Sequence, residues 1–254
     1  TGVNREDGTL TVVAPEEIPT ETGNGVDWTY VAGDAFYQPN GTPELWMPRA
    51  GHSALSFGGK MWVIGGRSQW LELPLLNDVW SSVDGATWTL EAEAAPWFAR
   101  AWHAGVVFDN RIWILGGGSA YNEMRNDVWY SADGSEWLAA TQNAAWLPRQ
   151  GHSCVVHDGR IWLLGGRTWQ QIGPDLFGPV ADNDVWSSTD GTNWTEVTAD
   201  AAWPARELHA SVVYDGKMWV MGGRAEALER NLNDVWWSTD GATWTQATAA
   251  APWA

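Results

Sequence analysis

Apolar and polar positions follow the same order four times along the chain. The runs 52–57, 103–108, 152–157 and 209–214 (HSALSF, HAGVVF, HSCVVH, HASVVY) each end at a Gly-Gly, Asp-Asn or Asp-Gly pair. A nearly unbroken apolar run follows each pair: MWVIGG, IWILGG, IWLLGG and MWVMGG. Such pairs tolerate the positive φ angles of a type I′ hairpin. An apolar run without alternation is expected of a strand covered on both faces. A third strand is predicted at each NDVW, beginning at Asn77, Asn126, Asn183 and Asn233. An Asp-Gly turn at Asp84, Asp133, Asp190 and Asp240 then leads to a fourth, Thr-rich strand. No segment holds a helical period.

Four short strands per unit, repeated at about fifty residues, predict an all-β fold, a propeller of four-stranded antiparallel blades. The repeats run over about 49–98, 100–147, 149–204 and 206–253. In its Arg-x-x-His, double glycine and following tryptophan, the chain resembles the kelch-repeat family over about residues 46–254. Kelch propellers usually have more blades, often six or seven, whereas four complete repeats are present here. One extra N-terminal strand, VDWTYV at 26–31, resembles a fourth strand without its first three, so the propeller is assigned to residues 26–254. Residues 1–25 read as an extension or linker, or as a strand donated to a neighbour. Self-association through residues 1–31 is the matching expectation.

Charge narrows the partners. With 14 basic and 31 acidic side chains, the formal net charge is −17, which disfavours nucleic acid and anionic membrane. No apolar run approaches the ~20 residues of a membrane-spanning helix. The expected setting is extracellular or cell-surface, as a mature chain whose secretion signal has been removed. The single cysteine, Cys154, lies between apolar residues and reads as a buried thiol.

Of 22 tryptophans, sixteen occupy four positions common to all repeats, and Trp28 and Trp46 extend the register backward. These read as packing between blades. Trp237 lies inside a third strand and reads as packing too. Trp70, Trp102 and Trp169 fall on the end of the propeller that carries the linkers and the loops between second and third strands, where indoles suit sugar rings or apolar anchors of a partner. On the same end lie Arg49, Arg100, Arg149 and Arg206, which begin the repeats, and Arg67, Arg167 and Arg224, which follow the double glycines. Together they form a candidate ring for carboxylate or sulfate. The kelch resemblance implies that the arginine at the position of Arg49 can hold acidic peptides. The longest connection, residues 167–184, is the first place to look for function.

His52, His103, His152 and His209 would form a ring near the axis, which offers metal ligands; their recurrence equally fits a structural role. Calcium is a possible cofactor through the Asp-rich turns, although backbone demands alone explain those residues. The Ser-x-Asp-Gly-x-x-Trp stretch resembles the sialidase Asp box with one residue missing between Asp and Gly, a fold element rather than a catalytic one. The expected function is a binding module for a glycan or an acidic partner. The alternatives are a structural subunit of an oligomer or fibre, and a carbohydrate-active enzyme (glycosidase or oxidase).

Overall fold

The structure, a computed structural model, describes residues 5–6, 9–10, 47–68, 75–118 and 123–253. The chain divides into two compact units, 1–33 and 34–254. In the first, β1 (Arg5–Glu6) pairs antiparallel with β2 (Thr9–Leu10). The predicted strand at 26–31 lies outside the described residues.

The second unit is built of four blades. Blade 1 is β3 (Ser53–Phe57), β4 (Lys60–Arg67), β5 (Leu75–Ser82) and β6 (Thr89–Ala92), paired in that order. Blade 2 is β7 (Ala104–Phe108), β8 (Arg111–Gly118), β9 (Met124–Ser131) and β10 (Leu138–Thr141). Blade 3 adds a short linker strand, β11 (Arg149–Gln150), to β12 (Ser153–His157), β13 (Arg160–Gly173), β14 (Leu176–Ser188) and β15 (Thr195–Thr198). Blade 4 contains β16 (Ala210–Tyr214), β17 (Lys217–Met221), the minor pair β18 (Arg224–Ala225) and β19 (Arg230–Asn231), then β20 (Val235–Ser238) and β21 (Thr245–Thr248). All pairings are antiparallel. The strands β3, β7, β12 and β16 lie side by side in that order, so the first strand of each blade faces the axis.

The predicted hairpins form as expected. At Asp109-Asn110 and Asp158-Gly159 the two turn residues have φ angles of 48° and 53°, and of 46° and 65°, the left-handed pair that a type I′ turn requires. At the other turn of each blade, Ser188 Oγ accepts from Gly191 N at 2.8 Å, while Asp190 Oδ1 accepts from Thr192 N and Asn193 N, both at 2.8 Å. Burial pushes the Asp190 carboxyl up, but these donors override it and hold it at about 2. At Asp84 the backbone N–H groups of Thr87 and Ala86 do the same, to about 2.

A carboxyl depressed in the folded state stabilises the fold above its unfolded pKa of about 3.9 and loses that contribution as pH falls through the folded value. The melting temperature is therefore expected to fall steeply between about pH 4 and about pH 2. The Asp190→Asn variant should show a shallower fall in the same acid titration. An unchanged profile would contradict this reading of the turns.

Three hydrophobic clusters hold the blades together, one at each joint. Between blades 3 and 4, Val155 and Trp162 of blade 3 meet Met218, Val220 and Trp244 of blade 4, with the linker tryptophan Trp203 among them. The joints between blades 1 and 2 and between blades 2 and 3 repeat this plan. The linker indole stands edge-on to the tryptophan of the following blade: Trp97 to Trp137 at 5.9 Å, Trp146 to Trp194 at 5.9 Å and Trp203 to Trp244 at 5.8 Å. Meanwhile Trp113 of blade 2 covers Gly191 of blade 3, where its ring occupies the place a Cβ would need. That glycine is demanded both by the indole above it and by its φ of 72°. The tryptophans at the three joints are thus architecture, as their recurrence implied, whereas Trp219 is partly exposed and Trp253 is exposed.

Candidate functional site

The arginines that open the repeats are spent on the fold. Arg100 donates from Nη1 and Nη2 to Asp127 Oδ1 and Oδ2, both at 2.7 Å. Its Nη1 also reaches Gly116 O at 2.7 Å and its Nε reaches Phe98 O at 3.0 Å. Arg49, Arg149 and Arg206 repeat this fork on Asp78, Asp184 and Asp234, at 2.6 to 2.8 Å. Their side chains are 0 to 1% exposed. Burial pushes the Asp127 carboxyl up, and the Arg100 guanidinium overrides that and holds it below the usual range. The expectation that Arg49, Arg100, Arg149 and Arg206 bind an anionic ligand is therefore corrected. Each faces the Asp of its own NDVW, which sequence spacing alone did not reveal.

The remaining arginines differ. Arg67 and Arg224 are exposed. Arg167 is partly buried, with Nη1 3.7 Å from Glu207 Oε1. All three pair through their backbones with the linkers, to Ala50, Gln150 and Glu207, so they mark one end of the propeller.

The histidines do not converge into a metal set. His103, His152 and His209 each lean on the preceding linker tryptophan, at 6.4, 6.1 and 6.1 Å between ring centres. Burial, and then the neighbouring Arg100 and Arg206 charges, lower His103 and His209 to about 3. His152 is held well below the ordinary value for the same reasons, and His52 is lowered by burial and Arg49. Among the described residues no group of three His, Cys, Asp or Glu could hold a metal. Burial likewise drives the Cys154 thiol far up, which disfavours the thiolate.

The three loop tryptophans separate. Trp70 lies outside the described residues. Trp102 is half-buried, with its indole over Gly51 and a φ of 55°. It belongs to a chain of backbone bonds near the axis. Trp102 N donates to Gly51 O at 2.7 Å, Gly151 N to Trp102 O at 2.9 Å, and Leu208 N to Gly151 O at 2.7 Å. All four residues are left-handed, at 65°, 55°, 65° and 55° in chain order. Trp102 and Leu208 accept a conformation that costs a non-glycine residue roughly 1–2 kcal/mol. Each covers the glycine of the preceding repeat, making two apolar caps at the linker end. Trp102 is thus fixed by packing, and only its outer part faces solvent.

Trp169 stands in a different place. The stretch expected to be a long loop is instead regular: β13 and β14 run past the blade as a two-stranded arm, with Trp169 opposite Pro179, Gln170 opposite Gly178 and Gln171 opposite Phe177. Side chains of directly paired residues share a face, so Trp169, Gln171, Phe177 and Pro179 line one side. Exposure is 44% at Trp169, 53% at Ile172, 58% at Leu176 and 56% at Phe177. At the root, Gln170 Nε2 donates to Asp182 Oδ1 at 3.0 Å and to Thr168 Oγ1 at 2.7 Å. Burial raises the Asp182 carboxyl. A rigid root with an apolar tip can carry aromatic anchors to a partner.

A family model for the KLHDC2/KLHL20/DRC7 kelch-repeats domain matches residues 34–166, and one for the kelch motif matches residues 205–248. The chain belongs to the kelch-repeat family. No curated protein matches this kelch chain in sequence. Among solved structures it is similar to "Structure of YjhT", with a TM-score of 0.62 and 16% identity over 83% of this chain and 68% of that one. At that identity the likeness shows the fold alone, a kelch-type β-propeller. Kelch repeats generally mediate protein–protein interaction, so the propeller is a binding module in kind.

Proposed function

We propose that this kelch propeller binds a partner protein through the blade-3 arm, seating an extended apolar segment against Trp169 and Phe177. One observation carries the reading: Trp169 and Phe177, 44% and 56% exposed, share one face of paired strands, in the longest of the four connections between second and third strands. Large aromatic anchors dominate binding energies once buried by a partner. Beyond the root, no other strand pairs with the arm among the described residues, which leaves main-chain donors and acceptors for an added strand.

A glycan is the second reading. The Trp169 indole and the Gln171 amide share a face, a stacking surface beside a hydrogen-bonding group. The acidic-partner reading loses its four principal arginines and rests on Arg67, Arg167 and Arg224.

Panning a displayed peptide library and probing a glycan array with the intact chain separates the two readings. The expected outcome is a set of apolar peptides whose affinity falls at least about tenfold, or 1.4 kcal/mol, with Trp169→Ala and Phe177→Ala at unchanged melting temperature. Glycan binding lost with Trp169→Ala would select the second reading. Ligands indifferent to both substitutions would place the site elsewhere.

A further inference from the structure

Each joint between blades buries one imidazole. His103, His152 and His209, which precede the first strands of blades 2, 3 and 4, are 6%, 6% and 7% exposed. Besides the linker tryptophan on which it leans, each ring meets the blade before its own. The His103 ring comes within 3.1 Å of where a Cβ on Gly65 of blade 1 would stand, and the His152 ring within 3.0 Å of the same place on Gly116 of blade 2. His209 instead meets Ser153 of blade 3, with Nε2 2.8 Å from Oγ.

The groups around these rings leave no place for a positive charge. Arg100, His52 and Asp127 face His103; Arg149, His103 and His209 face His152; Arg206 faces His209. Asp127 is the single carboxylate among them, and its oxygens are already held by Arg100 and the Trp129 indole. Asp184 and Asp234 are committed in the same way to Arg149 and Arg206. Nδ1 of all three histidines, and Nε2 of His103 and His152, lack a well-formed hydrogen bond. The backbone at Ile64 and Leu115 gives His103 and His152 only the weakest of the effects upon them. An unpaired charge in such a place is costly, so the rings stay neutral in the closed joint.

We infer that the three joints are acid-sensitive latches: when His103, His152 or His209 takes up a proton, an imidazolium stands beside a buried guanidinium with no uncommitted carboxylate, and the fold gives way at that joint. The direction follows from which form binds the proton more readily. A histidine released from an opened joint takes it near its ordinary value of about 6.5. In the closed joint burial, and then the Arg100 and Arg206 charges, hold His103 and His209 at about 3. The joints therefore keep their full stability above about pH 6.5 and lose it as pH falls from there toward about 3, where the closed form takes the proton too. At about pH 5 each histidine shifts the balance toward opening by about thirtyfold. This window begins above that of the Asp-Gly turns, and the inference does not rest on the reading of the blade-3 arm.

Urea unfolding of the intact chain, followed by tryptophan emission between about pH 7.5 and about pH 5, tests the latch. The unfolding constant is expected to rise at least about a thousandfold over that interval. In the variant His152→Asn, whose new side chain does not titrate, the rise should be about thirtyfold smaller, even where the variant is less stable at about pH 7.5. Proton NMR of the unaltered chain gives a second reading that needs no variant to fold. The imidazole C–H signals of His103, His152 and His209 should keep their neutral positions until the chain unfolds. An unfolding constant that barely changes above about pH 5 overturns the proposal. A folded variant with a profile as steep as that of the unaltered chain, or signals from these three residues that titrate in the folded chain near about pH 6.5, overturns it as well.

Discussion

Replacing Asp127 by alanine is expected to cost about 3–5 kcal/mol of stability, because a buried charge loses its only carboxylate partner. The Arg100 side chain is 1% exposed, and it keeps two carbonyl contacts, to Gly116 O and Phe98 O, when Asp127 is removed. Neither carbonyl neutralises it. The same change strands the Trp129 indole N–H, which donates to Asp127 Oδ2 at 2.8 Å. Equilibrium unfolding in urea should show a much lower midpoint at a similar slope. A loss below about 1 kcal/mol, the range of an exposed ion pair, would show that the fork is not a structural element.

Trp146→Ala is expected to cost a similar amount, about 3–5 kcal/mol, through the cavity it leaves. This indole is 1% exposed, stands at 89° to Trp194 and touches His152. It therefore ties blade 2 to blade 3 from the linker. Trp253 holds the same position after blade 4 but is 48% exposed, so Trp253→Ala should change the melting temperature far less in dilute solution. The contrast between two residues at one repeat position measures how much the following blade contributes. Equal losses at both positions would contradict the description of the joints.

The residues that recur were legible because recurrence reports backbone and packing demands. The Asp-Gly turns, the apolar second strands and the tryptophans of the three joints take the places that periodicity assigned to them. The arginine ring was misread for a physical reason. An Arg and an Asp about thirty residues apart cannot be paired from spacing without knowing that the linker crosses the start of the third strand. In the NDVW motif, Asn126 Nδ2 donates to the linker carbonyls of Ala144 and Trp146 at 3.0 and 3.2 Å, while Asp127 takes the arginine. The Asn-Asp pair of each NDVW is a clasp for the linkers on either side of its blade.

The arm was legible as an exception and not as a structure. Its proline, glycine and asparagine content reads as loop, yet Trp169, Gln170 and Gln171 pair in sequence with Pro179, Gly178 and Phe177. Proline is tolerated there because the arm has free edges. The left-handed conformations of Trp102 and Leu208 had no sequence signal beyond the glycines at the same repeat position in Gly51 and Gly151. A bulky residue where sister repeats place glycine was the available clue.

The account holds that repeated side chains build the propeller and that recognition resides where the repeat breaks, in the blade-3 arm. The most direct test titrates a peptide selected on the intact chain against the double variant Trp169→Ala, Phe177→Ala. The account predicts that binding falls at least about a hundredfold, near 2.7 kcal/mol, while the melting temperature stays within the error of the unaltered chain. Undiminished binding by a fully folded double variant would contradict it.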